Sequence, residues 1–301
     1  MGSTKIIDGD GHVLEDGSIA KYLPFPYKER ADRLQNRLFP PLDHLHAGQA
    51  PSQTPPGSFQ RVDANGWVDF LDTVGIETTV LYPTSGLACG KINNHDWAIA
   101  ITRAYNDWLH ETFLSKSPRL KGMGLIPMQE PEAAVEELKR LVQDLGMCGA
   151  MMPSTGLPSQ LGSKEYWPIY READRLGCCL AVHGGCHSGL GLDNVNVHAA
   201  VHGLGHPFGI TISFASIIFN GILDRFPNTN IAFLEGGVAW FLVGLERFDR
   251  SYETHYYYNP RGDFLTLKQN EKDSDYIIMQ VKAVRIYFGC EADDPAMSYE
   301  V

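Results

Sequence analysis

Short, continuously apolar runs alternate along this chain with amphipathic stretches of helical period, and that alternation narrows its folds more than any other feature. Thr78-Thr79-Val80-Leu81-Tyr82, Cys179-Leu180-Ala181-Val182 and Ile231-Ala232-Phe233-Leu234 lack the every-second-residue polarity of a strand wetted on one side. Strands apolar along their length are covered on both faces, the condition of a parallel sheet flanked by helices. Helices are expected near Val62–Val74, Asp96–Leu114, Glu130–Leu145, Lys164–Leu176, Phe208–Arg225 and Val238–Tyr252. In the third of these, Ala134, Val135, Leu138, Leu141 and Val142 form one buried stripe. Asn94 or Asp96 caps the second, and Gly177 closes the fourth.

Seven strands are expected, starting at Lys5, Thr78, Leu120, Gly149, Cys179, Ile231 and Val284. No glycine-rich phosphate loop follows the first, which counts against a dinucleotide fold. The better match is α/β, a (β/α)8 TIM barrel. That barrel needs an eighth strand, and none is expected before Val301, so the reading is a barrel truncated before strand 8. The reading is of one domain, 1–301, with an irregular, proline-rich insert at about 14–59.

Acidic residues exceed basic ones by 36 to 25, a formal charge of −11 that counts against nucleic-acid or anionic-membrane partners. The six cysteines show no Cys-x-x-Cys spacing, and Cys148, Cys178 and Cys179 lie in apolar segments. With no secretory leader pattern and no run of 18 apolar residues, a cytoplasmic protein is expected.

The chemistry gathers at strand ends. Ile6-Ile7-Asp8-Gly9-Asp10-Gly11-His12 runs from apolar into alternating acid, glycine and imidazole. In a regular strand Asp8, Asp10 and His12 share one face. His183 and Glu235 each end an apolar strand and precede Gly-Gly, which reads as room for a metal's open position. Asp10, His12, His183 and Glu235 make a mixed nitrogen and oxygen donor set, suited to Zn²⁺, Mn²⁺ or Fe²⁺ more than to Ca²⁺. Glu235 and Glu291 are the candidate acid–base groups. Arg61, Trp240, Arg247 and His206 are candidate substrate-binding residues, with Trp240 and Arg247 seven apart on one helix face. His187, His198, His202 and His206 are expected in a loop.

The runs IIDGDGHVLED, VGIETTVLYPT, RAYNDWLHE, RLKGMGLIPMQEPEAAVEELKR, LAVHGG and ILDRFPNTNIAFLEGGVAWFLVGLERFD resemble the amidohydrolase-related group that includes aminocarboxymuconate semialdehyde decarboxylase. The resemblance implies a TIM barrel with one divalent metal, Zn²⁺ first and Mn²⁺ or Fe²⁺ as alternatives. It places ligands on Asp10, His12 and His183. It implies a decarboxylase of a small unsaturated or aromatic acid. The alternatives are a hydrolase of an ester, lactone or amide, or an inactive or incomplete barrel. A small-molecule substrate and a homo-oligomer are expected. Three departures stand out: Asp10-x-His12 replaces His-x-His or Glu-x-His, Glu235 stands where a histidine is common, and the strand-eight aspartate lies beyond Val301 unless Glu291 or Asp294 replaces it.

Overall fold

A computed structural model describes residues 5–30, 38–42, 61–187, 189–258, 264–290 and 294–296. Glu291 and most of the expected insert lie outside the described residues. The chain divides into two compact units, residues 1–151 and 152–301.

The first unit holds β1 (Ile7–Val13), α1 (Ala64–Val74), β2 (Thr78–Pro83), α2 (His95–Thr112), β3 (Leu120–Leu125), α3 (Pro131–Gln143) and β4 (Gly149–Pro153, its last two residues belonging to the second unit). Successive strands pair in parallel, β1 with β2, β2 with β3 and β3 with β4. The helix boundaries follow from local chemistry. Asp63 accepts from Gly66 N–H at 2.9 Å to start α1, and Gly75, left-handed at φ 75°, ends it. Asn94 accepts from Trp97 N–H at 2.9 Å to start α2, and Pro131 opens α3, where its missing N–H costs nothing. The core between sheet and helices includes Leu71, Leu81, Ile101, Leu109, Leu120, Leu138 and Leu141. One polar network sits inside it. Asn106 Nδ2 donates to the Leu125 carbonyl and to Glu137, each at 2.8 Å, and its Oδ1 accepts from Leu125 N–H at 2.8 Å. Arg140 then pairs with Glu137 and Asp107, both at 2.6 Å.

The second unit holds α4 (Trp167–Leu176), β5 (Cys179–His183), α5 (His198–Phe219), β6 (Asn230–Leu234), α6 (Ala239–His255), α7 (Asp273–Lys282) and β7 (Ile286–Phe288). β5 pairs in parallel with β6, and β6 with β7. Its core is aromatic. Phe214 of α5 meets Phe233 of β6 at 5.2 Å between ring centroids and Trp240 of α6 at 5.3 Å, and Phe241 meets Phe288 at 4.4 Å.

One expectation needs correcting here. The helix expected from Phe208 begins ten residues earlier, at His198, and runs through Pro207. A proline removes one helical hydrogen bond and presses on the carbonyl four residues back, and that residue is Gly203. By length and composition α5 is apolar enough to cross a membrane, but it packs Val201, Ile210, Phe214, Ile217 and Ile218 into the core. The strand expected from Val284 is β7, which is short at Ile286–Phe288.

Candidate metal centre

Within the first unit the site begins at the end of β1. The pairing of β1 with β2 slips between Asp8 and Gly11, so the strand is not regular there. Asp8 consequently does not act alongside Asp10 and His12. Its Oδ2 accepts from the Thr79 hydroxyl at 2.6 Å and its Oδ1 accepts from Asp10 N–H at 3.1 Å, which holds the irregularity in place. A Cβ at Gly11 would overlap the Thr79 hydroxyl, which explains the glycine. Past the slip, His12 Nε2 lies 3.6 Å from Asp10 Oδ1, both side chains about one quarter exposed. The other ring nitrogen, Nδ1, is 2.7 Å from the Pro83 carbonyl, an acceptor only. Nδ1 therefore carries the proton, and Nε2 is left with its lone pair.

Glu15 was not singled out from the sequence. Its carboxylate accepts three main-chain N–H groups, from Thr84 at 3.2 Å, Ser85 at 2.9 Å and Gly86 at 2.8 Å. Burial dominates and leaves its carboxyl above the usual carboxylate range, although these donors pull it down in part. Arg61, expected to meet substrate, donates from Nη2 to the Glu15 main-chain oxygen at 3.0 Å and remains exposed.

Within the second unit His183 ends β5, buried to 1 % exposure, with Nδ1 2.6 Å from the Gly184 carbonyl. The same logic as for His12 leaves Nε2 as the lone-pair nitrogen. Glu235, one residue beyond β6, takes the left-handed conformation at φ 59°, which disfavours any residue with a Cβ. Its Oε2 lies 3.7 Å from His183 Nδ1 and 3.1 Å from His206 Nδ1. The histidines placed in a loop by sequence are on α5: His198, His202 and His206 follow at helical spacing, with ring centroids 6.0 and 5.1 Å apart. His187, which precedes the helix, lies edge-on to His206 at 5.0 Å. The glycines after the strand ends do not mark empty space. A Cβ at Gly184 would overlap the His206 ring, and one at Gly236 would come within 2.8 Å of Trp240 Nε1.

Trp240 is buried and donates from Nε1 to the Gly237 carbonyl at 2.8 Å, whereas Arg247 is exposed, so their seven-residue spacing does not give them one environment. Asp294 lies beside Gly237, its carboxylate 3.5 Å from where a Cβ would stand. Glu291 falls outside the described residues.

Parallel α/β architecture with imidazoles and carboxylates at strand ends defines the broad class, an α/β protein of barrel type. The family is specific: residues 7–257 match the amidohydrolase model Amidohydro_2, and the chain belongs to that family. It is 25% identical over 209 residues to 2-amino-3-carboxymuconate-6-semialdehyde decarboxylase of Dictyostelium discoideum, covering 67% of this chain and 57% of that protein. The chain thus spans little more than half the length of this curated relative. A crystal structure of an amidohydrolase from Mycobacterium avium subsp. paratuberculosis K-10 superposes with TM-score 0.72 at 19% identity, over 99% of this chain and 85% of that one. Dihydroxybenzoic acid decarboxylase from Polaromonas sp. JS666, solved with manganese and 2-nitroresorcinol, gives TM-score 0.61 at 19% identity, over 98% and 89%. The fold is the α/β fold of TIM-barrel type.

Proposed function

We propose that this chain is a metal-dependent decarboxylase of a small aromatic or unsaturated carboxylic acid, with Asp10, His12, His183 and Glu235 holding one divalent metal. The observation that carries the reading is common to both histidines. Each sets Nδ1 on a main-chain carbonyl, the tautomer whose lone pair is on Nε2, and each stands near a carboxylate. Metal-ligating histidines are fixed in this way by the hydrogen bond of their other nitrogen. The mixed donor set suits Mn²⁺ or Zn²⁺. Manganese in the Polaromonas enzyme, and the decarboxylase names of that protein and of the Dictyostelium relative, support the assignment.

Loss of CO₂ leaves an electron pair on carbon, and a proton must replace the carboxyl group. When bound, the metal supplies Lewis acidity at the substrate's carboxylate and adjacent oxygen. Glu235 and His206, with Oε2 and Nδ1 3.1 Å apart, are the two groups we assign to delivering that proton. Arg61, exposed at the rim of β1, is the side chain we assign to the substrate carboxylate. A cytoplasmic, homo-oligomeric enzyme without nucleic-acid or membrane partners completes the proposal.

The test is direct. Metal-stripped protein is loaded with Mn²⁺ or Zn²⁺ and offered hydroxybenzoates, unsaturated acids, esters and lactones, while CO₂ release and hydrolysis are followed separately. Metal-dependent CO₂ release, abolished by His12→Ala and His183→Ala, is expected. Ester or lactone turnover without CO₂ from any acid would assign a hydrolase instead.

A further inference from the structure

Glu15 and His12 grip opposite ends of the same peptide unit. The Pro83 carbonyl and the Thr84 N–H belong to one planar amide. His12 Nδ1–H donates to that carbonyl at 2.7 Å, and Glu15 Oε2 accepts from that N–H at 3.2 Å. Ser85 N–H at 2.9 Å and Gly86 N–H at 2.8 Å complete the carboxylate's shell. Two further details hold the arrangement. The Thr84 hydroxyl donates to the Val13 carbonyl at 2.9 Å, which closes β1 onto β2. A Cβ at Gly86 would come within 2.7 Å of Pro83 Cβ and 3.2 Å of Glu15 Oε1, so only glycine lets the three N–H groups converge.

We propose that Glu15 is a positioning residue for His12: by holding the Thr84 N–H it fixes the Pro83–Thr84 amide plane, and through its carbonyl the Nδ1–H tautomer and ring angle of His12. The consequence for metal binding rests on His12 being a ligand, as proposed above; the consequence for the tautomer does not. A carboxylate is suited to the task because it has only acceptors. A glutamine at position 15 would turn an NH₂ toward at least one N–H and lose that bond.

The experiment compares wild type, Glu15→Gln and Gly86→Ala in two readouts. The first is the His12 tautomer in metal-free protein from imidazole ¹⁵N shifts, assigned with His12→Gln. The second is Mn²⁺ affinity from the EPR signal of free Mn²⁺. Far-UV circular dichroism confirms that each variant is folded. Both variants are expected to lower the Nδ1–H fraction of His12 and to weaken Mn²⁺ binding by about 10- to 100-fold, the usual effect of losing an outer-shell partner. A folded Glu15→Gln protein that keeps the wild-type tautomer and affinity overturns the proposal. If Glu15→Gln does not fold, Gly86→Ala decides on the same two readouts. A tautomer change in a protein whose wild type binds no Mn²⁺ supports the role of Glu15 and refutes the metal site.

Discussion

Asp273, the first residue of α7, gives the sharpest quantitative prediction for this fold. It is fully buried, and neither carboxylate oxygen meets a hydrogen-bond donor among the described residues. Burial and the nearby Asp249, which is occupied by Ser274 N–H at 2.6 Å and Ser274 Oγ at 2.7 Å, push Asp273 up to about 7 from 3.8. Between those values the folded protein keeps a proton that the unfolded chain has lost. Stability therefore falls as pH rises through this window and levels off above about 7. Each pH unit inside the window costs about 1.4 kcal/mol, so the full span costs about 4 kcal/mol. Asp273→Asn removes the titration while keeping the shape. Its amide is itself buried and unpaired, at a cost of about 1–3 kcal/mol, so the slope with pH is the decisive quantity rather than the offset. Urea unfolding of the second unit's signals, repeated from pH 4.5 to 8, should give the wild type the steeper decline, with Asp273→Asn gaining on it until about pH 7. Parallel curves for the two proteins would refute the reasoning.

Two other perturbations separate stability from chemistry. Glu235→Gly should relieve the left-handed strain at φ 59° and raise stability by about 1 kcal/mol in thermal melts, while Mn²⁺ affinity falls; a fall in both would show that Glu235 is structural. Asn106→Leu leaves Leu125 N–H, the Leu125 carbonyl and Glu137 without their amide partner and should cost about 3 kcal/mol or more in denaturant unfolding.

What was legible in the sequence was local or periodic. Asn94 and Gly177 set helix ends with partners a few residues away, and the apolar runs announced buried parallel strands. What was not legible depended on residues distant in the chain. The alternation Asp8, Asp10, His12 reads as one face of a strand, but Thr79, 71 residues on, captures Asp8 and the pairing slips. Glu15 was overlooked because its partners are main-chain N–H groups about 70 residues away, which no side-chain pattern reveals. The sequence places His198 to His206 in a loop, yet packing of the apolar side of α5 outweighs the one hydrogen bond that Pro207 removes. The Gly-Gly pairs read as open space, but the space beside Gly184 and Gly236 is filled by His206 and Trp240.

Backbone strain by itself does not identify a working residue here, and the contrast between two positions shows why. Val284 is also left-handed, at φ 59°, although a β-branched side chain is ill suited to it. It sits at the end of α7, where Val284 N–H bonds to the Val281 carbonyl and Arg285 N–H to the Gln280 carbonyl. The turn aims Arg285 at the Leu223 and Phe226 carbonyls, both 2.9 Å from its Nη2, so the strain at Val284 holds two chain segments together. Glu235 is followed by two glycines, Gly236 and Gly237. If the backbone alone required a left-handed residue there, glycine would meet the need without strain. The chain instead places a carboxylate at that position, with His206 at 3.1 Å and His183 at 3.7 Å. The strain is tolerated for the side chain, and that makes Glu235 the residue whose replacement should cost function more than fold.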